Sequence, residues 1–171
     1  MPLSIPPGVD ANGRRNAIFI PTQTLSAATL GTTGVELICY LSKGTLGMSA
    51  ETERGTDDRE CTTVSAEVLG NTSYSFNDLE YVYEPQDAAG DSVTNKAYNS
   101  LTPNTSGFLV LRNGILADEP LAAGQVVDVF PITLGPQIRK SPEGNNPAEK
   151  LKITQPVIVG QGVAFDQVLV A

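Results

Sequence analysis

The sequence predicts a mainly β protein with one helix, and three observations carry that reading. Gly (16) and Pro (12) are plentiful while Trp is absent and aromatics make up 6%, a balance that suits short strands and turns better than a helical bundle. Several short runs, among them NAIFIP and GVELICYL, are rich in apolar and β-branched residues and bounded by turn formers. The third observation is the stretch Glu60 to Glu84, two β-rich runs joined at Gly70-Asn71 that read as an antiparallel hairpin. Its second arm continues from Thr72 to Glu84 without Gly or Pro, roughly twice the usual strand length of about 5 to 6 residues. Leu79, Tyr81 and Tyr83 project to one face, and Tyr74, Phe76, Asp78, Glu80 and Val82 to the other. Neither face is simply wet, so the arm needs cover from beyond its own sheet, and the expected cover is another copy of the chain.

A chain of 171 residues with 40% hydrophobic content makes one domain with a real core and is too short for two. The expected layout is a single domain over 1–171, with an N-terminal arm at 1–15, a long charged loop at 42–59 and a polar loop at 135–148. Eleven basic against 19 acidic residues give a formal charge of -8, which repels nucleic acid wherever the acids cluster and argues against sequence-specific DNA binding. The basic pairs Arg14-Arg15 and Arg139-Lys140 lie in arm-like segments and read as contacts to an acidic neighbour or as solvated ends.

Histidine is absent, which removes the commonest general base, the commonest metal ligand and the Ser-His and Cys-His pairings. Cys39 and Cys61 are the only cysteines, too few for a closed zinc site, and they read as two buried thiols in strands rather than a disulfide. No apolar signal core or membrane-length run stands out, so folding in a cytoplasm is expected. The expectation is no enzyme, no cofactor, no metal and no membrane.

In chain order, Asn16 to Pro21 is a short strand and Thr22 to Thr33 a loop with at most one irregular turn. Gly34 to Leu41 is a strand with Val35, Leu37, Cys39 and Leu41 toward the core. Ser42 to Arg59 is dense in mixed charge, and structureless loops longer than about 12 residues are usually functional or disordered. Two readings stand level: a solvated flap, or a reaching loop whose Glu51, Glu53, Arg54, Asp57, Asp58 and Arg59 pair with another subunit. After the hairpin and a turn, Ser92 to Leu101 is the one convincing helix, capped by Asp91 or Ser92, striped by Val93, Ala97 and Leu101 and ended by Pro103. Gly107 to Asn113 is a strand entering a tight turn. Gln125 to Leu134 is a strand in which Pro131 implies an edge or a bulge. Lys150 to Val159 and Gly162 to Val170 are the final strands.

No motif speaks for chemistry. GQGVAF at 160–165 lacks the third glycine of a dinucleotide loop and the room for a following helix. Asn71-Thr72-Ser73 and Asn104-Thr105-Ser106 fit the glycosylation pattern but mean nothing without a secretory route. Asp78 with Glu80, or Asp57 with Asp58, lack aromatic sugar-stacking residues around them, and Asp87 with Asp91 lacks the spacing of a calcium loop.

The order of features carries more. GVELICYL, DDRECTTVSAEVLGNTSYSFNDLEYVYEPQ, the helix NKAYNSL, the strand GFLVLRNG and AAGQVVDVFPITLG together resemble the major tail tube proteins of bacteriophages with long, non-contractile tails (the siphovirus type), closest to those of phages infecting Actinobacteria. The resemblance covers about Gly34 to Gly135. It implies a β-sandwich or open barrel flanked by one α-helix, and hexameric rings stacked into a hollow tube that conducts DNA from capsid to host. It further implies that the long hairpin joins an inter-subunit β-barrel closed around the ring, the device that abolishes sheet edges. The charged loop, Lys43 included, would then touch the next ring, and the arms bearing Arg14, Arg15, Arg139 and Lys140 would clamp neighbours. Partners so implied are sister copies, a tape-measure protein, tail terminator and tip proteins, and double-stranded DNA passing without adhesion. The place is the virion tail, assembled in the host cytoplasm.

Within that picture the acidic excess has a task, since carboxylates repel a sliding DNA backbone where basic contacts would hold it. Glu67, Asp78, Glu80 and Asp128 are the lumen candidates; exposed acids kept for solubility are the competing reading. The competing function is a β-sandwich binding module, capsid-decorating or carbohydrate-binding, against which the missing Trp counts.

Overall fold

The computed structural model describes residues 9, 12–57, 59–61, 64–87, 93–142, 144 and 147–171. Its fold is mainly β, with eleven strands and two short helices among the described residues. The central sheet follows the order β10-β7-β6-β1-β2, from β1 (Arg15–Ile20), β2 (Val35–Glu36), β6 (Ser106–Asn113), β7 (Val126–Leu134) and β10 (Val157–Val159), with β11 (Ala164–Val168) also paired to β7. Every pairing in it is antiparallel.

Apolar residues occupy both faces of this sheet, which explains runs such as NAIFI and FLVL that hardly alternate. Ala17, Phe19, Leu109, Leu111, Phe130, Ile132 and Leu134 turn to one side, where they meet Leu79, Tyr81, Ile153, Ala97 and Leu101. Ile18, Ile20, Val110, Val127 and Val129 turn to the other and meet Ala27, Leu30 and Leu169. One face is covered by a second sheet of β5 (Leu79–Val82), β9 (Lys152–Gln155) and β8 (Ile138–Lys140) with α2 (Lys96–Ser100) beside it; the other by α1 (Ala27–Thr33). The sandwich is therefore present, and among the described residues its sheets are not closed into a barrel.

Two helices flank the sheets where one was expected. Thr22 to Thr33 is not all loop: Ser26 caps α1 by accepting from Thr29 N at 3.3 Å, and Ala27 and Leu30 turn inward one turn apart. The stripe is only two residues wide, too little to read from sequence. The other helix is shorter than expected, beginning after Asn95, with Ala97 and Leu101 buried and Val93 exposed; Asp91 and Ser92 lie outside the described residues. The strand over Gly34 to Leu41 lasts only through Glu36 before the chain turns, Tyr40 N donating to Leu37 O at 2.8 Å. Leu37 is buried and Val35 and Leu41 pack partly buried against the core, but the turn carries Cys39 outward and leaves it exposed; Cys61, beyond the end of a strand, is exposed too.

The largest departure is the hairpin. Gly70-Asn71 is not its turn. Ala66 to Phe76 is one continuous strand, β4, whose partner β3 (Met48–Asp57) comes from the segment expected to be a charged loop. A bulge at Gly70-Asn71 absorbs the irregularity: Thr52 faces Thr72 and Arg54 faces Leu69. Ladder pairing overrides the weak strand propensity of AETERG, assisted by the cross-strand pairs Ser49–Ser75 at 2.8 Å and Thr52–Thr72 at 2.9 Å. The arm expected to run unbroken to Glu84 ends at Phe76. Asn77 N donates to Gly47 O at 3.0 Å and its side-chain amide to Gly44 O at 3.1 Å, and the chain then enters the second sheet at Leu79.

Three smaller corrections share one cause, a change of neighbour along a strand. Pro131 lies in an interior strand, at the gap where β7 exchanges β11 for β10; its carbonyl faces Gly160 N (2.8 Å), so its missing N–H costs no bond to β6. Lys150 to Val159 is split by Pro156 between the two sheets. The loop expected over 135–148 contains β8, the open edge of the second sheet.

Candidate subunit interface

The β3–β4 ribbon stands apart from the body. Nearly all of its 21 residues are exposed, Phe76 being the one buried side chain. Ten residues at about 3.3 Å each carry its far end roughly 30 Å from Met48. The half of the ribbon nearer the body is anchored: Phe76 meets Phe130 edge to face at 4.9 Å, Tyr74 meets Phe165 at 5.5 Å, and Asn71 to Tyr74 line a shared cleft with Val159 to Val163. A two-stranded ribbon is marginal in water by itself, and this one keeps Val68, Leu69 and the neighbouring Val64 exposed toward its tip.

The residues expected along a charged loop are thus spread along the ribbon. Glu51, Glu53, Arg54 and Asp57 lie on β3 and Arg59 just beyond it, whereas Lys43 sits at the root in the turn before Leu46. Asp58 lies outside the described residues. Arg59 clasps Asp57, Nη2 to Oδ2 at 2.6 Å, which holds that carboxyl below its usual range. Arg54 and Glu67 face each other at 3.8 Å, both well exposed, a spacing worth little to stability.

The four expected lumen carboxylates fall into different environments. Glu67 is exposed on the ribbon, and Asp78 is exposed in the hinge after it rather than on a strand. Glu80 on β5 is engaged by Lys152 at 2.6 Å and Lys140 at 3.0 Å. The Lys152 hydrogen bond, helped by Lys140 and Ser42 against partial desolvation, brings its carboxyl to about 2. Two lysines around one carboxylate leave that spot positive. Asp128 accepts from Asp166 N at 3.1 Å and lies near Arg15.

Arg15 is not on a free arm. It opens β1, and its guanidinium donates to Leu46 O at 3.1 Å. Lys140 is likewise held by Glu80, while Arg139 beside it is exposed on the open edge of β8. Residues 1–8, 10 and 11 lie outside the described residues.

Two arrangements escaped sequence reasoning. Arg112 is wholly buried, and its guanidinium donates to four oxygens, none of them a carboxylate's: Pro120 O (3.1 Å), Gln125 Oε1 (3.1 Å), Leu116 O (2.8 Å) and Glu119 O (2.7 Å). It ties down the loop after β6. Gln155, also wholly buried, accepts from Tyr81 Oη at 2.9 Å and donates to Leu101 O and Gly135 O, while Gln137 donates to Tyr81 Oη at 3.0 Å. A lone arginine in a strand-like run, one glutamine in a strand and one in a loop carry no sequence signal for this.

Near the ribbon root a groove of about 380 Å³ is lined by Ile38, Cys39, Leu41, Lys43, Leu46 and Arg15, among others. No group of His, Cys, Asp or Glu among the described residues is placed to hold a metal ion, and no described helix is long and apolar enough to cross a membrane.

A family model described as phage tail tube protein matches residues 4–171. No curated protein sequence matches. Among solved structures the chain is similar to a component of the anti-feeding prophage baseplate, solved by cryo-EM with six-fold symmetrisation, at 9% identity and a TM-score of 0.45, covering 96% of this chain and 95% of the other.

Proposed function

This chain belongs to the phage tail tube protein family, a structural and not an enzymatic family, and from that premise we propose that six copies close into a ring, that rings stack into a hollow tail tube, and that the tube conducts DNA from capsid to host. The observation that carries this reading is the ribbon: two paired strands of 21 residues in all, anchored in the half nearer the body and exposed over the outer half, where Val68 and Leu69 are bare, need cover that their own body does not provide. Sister copies supply that cover, and ring closure removes the free edges of β2, β8 and β10 from solvent. A tape-measure protein sets the length of such a tube, terminator and tip proteins complete it, and assembly takes place in the host cytoplasm.

Of the carboxylates put forward for the lumen, Asp78 remains the best suited, being exposed and free of a neighbouring lysine clamp. Glu67 belongs with the ribbon contacts, and Glu80 and Asp128 serve the fold of the single copy. Negative-stain microscopy and sedimentation of the purified chain test the proposal. Rings or tubes are expected; a monomer that persists at high concentration overturns it and points to a binding module instead.

A further inference from the structure

We propose that Asp128 is a latch for the ribbon: it holds the β11 bulge in the turn that seats Phe165 against Tyr74, so that the single copy carries its ribbon at one preset angle. The register of β11 is the starting point. Ala164 faces Val129 and Gln167 faces Val127, so Phe165 and Asp166 together oppose the one residue Asp128, a bulge of the kind that bends a strand and re-aims a side chain. Asp166 takes a φ of 54°, left-handed backbone that a residue other than glycine adopts at a cost. The amide of that residue is met from across the ladder: Asp166 N donates to Asp128 Oδ1 at 3.1 Å. Arg15, which donates to Leu46 O at 3.1 Å just ahead of β3, lies near the same carboxylate.

Phe165 completes a set of four rings. Tyr74 and Phe76 lie two residues apart on one face of β4. Phe76 meets Phe130 at 4.9 Å, Phe130 meets Phe165 at 5.6 Å and Phe165 meets Tyr74 at 5.5 Å, all at the spacing of favourable edge-to-face pairs. Phe76 and the Asn77 clasp to Gly47 O and Gly44 O fix one point of the ribbon, about which it can still pivot. Tyr74 fixes a second, about 7 Å further out, and two points set a direction. A slip of about 1 Å at Tyr74 becomes about 3 Å at Leu69, which lies roughly 23 Å along the strand from Phe76. Phe165 is 37% exposed, so packing holds its ring on one side only and the bulge has to aim it. A ribbon aimed beforehand has less freedom to lose when a neighbour covers it.

The test uses the unassembled full chain and does not depend on the tube reading. In a parent chain carrying Cys61→Ser and Leu69→Cys, nitroxides on the introduced thiol and on the exposed Cys39 of the body report the ribbon angle by pulsed dipolar spectroscopy. One narrow distance distribution is expected, and a broad one in the parent refutes the preset angle outright. Asp128→Ala should broaden the distribution or shift it by about 3 Å. Asp128→Asn, which keeps an acceptor oxygen, should leave it narrow. Asp166→Gly added to Asp128→Ala should restore it, because glycine takes a positive φ without help. A narrow, unmoved distribution in Asp128→Ala, an Asn variant as broad as the Ala one, or no restoration by glycine overturns the latch. If circular dichroism shows that Asp128→Ala does not fold, Phe165→Leu decides in its place: loss of the Tyr74 contact should give the same broadening, and a distribution as narrow as the parent's refutes the proposal. Failure of the chain to form tubes leaves these outcomes unchanged and counts against the tube reading alone.

Discussion

Replacing Arg112 with Met should destabilise the single copy by about 3–5 kcal/mol, the range seen when one side of a buried charged network is removed. The side chain is of similar length, so little cavity opens, but Pro120 O, Gln125 Oε1, Leu116 O and Glu119 O all lose their donor. Each charge-assisted bond contributes about 1.5–3 kcal/mol by itself, and the total falls below their sum because an exposed loop such as 116–120 can relax and rehydrate its carbonyls. Lys should cost less, about 2–3 kcal/mol, since one ammonium reaches some of the four acceptors but lacks the planar fork. Trp is absent, so urea unfolding is best followed by far-ultraviolet circular dichroism below the assembly threshold. For a chain of this size the Met variant should lower Tm by about 6–20 °C. A Met variant within about 1 kcal/mol of wild type would refute the argument that these four bonds hold the loop. Ala117 of that loop also forms one wall of the groove near the ribbon root.

Other outcomes follow from the same coordinates. Glu80 has a folded-state carboxyl at about 2 against an ordinary 4.5, so its contribution is complete above pH 4.5 and disappears as the pH falls toward 2; Glu80→Gln should cost about 1–2 kcal/mol at neutral pH after solvent screening and flatten an acid titration of stability over that window. Gly107→Ala should destabilise by about 1–3 kcal/mol, because an added Cβ would stand 2.6 Å from the Phe19 ring and 2.8 Å from Ile20 O; an unchanged urea midpoint would contradict that crowding. Both thiols should react with a chromogenic disulfide reagent in the folded, unassembled chain, since Cys39 and Cys61 are exposed; titration of no thiol before denaturant is added would return them to the buried class. Phe76→Ala removes the ribbon's buried anchor and should cost about 3 kcal/mol while leaving the ribbon ladder without a fixed exit angle, read as fewer and shorter tubes in micrographs.

By itself the sequence determined the class of fold, the strands that form its centre and the family. Asn16 to Pro21, Gly107 to Asn113 and Gln125 to Leu134 are legible because apolar side chains crowd both faces of a covered sheet, a demand that composition records locally. The absence of histidine and of any nucleophile motif likewise spoke against catalysis without coordinates. Partner choice was not legible. Met48 to Asp57 carries the composition of a loop and becomes a strand because Ala66 to Phe76 lies beside it, and among the acids meant for a lumen Glu80 is clamped by two lysines only when β8 and β9 are brought against β5. Local pattern fixes which residues prefer an extended, buried backbone; hydrogen-bond partners and neighbouring charges come from segments up to a hundred residues away, and only the packed chain brings them together.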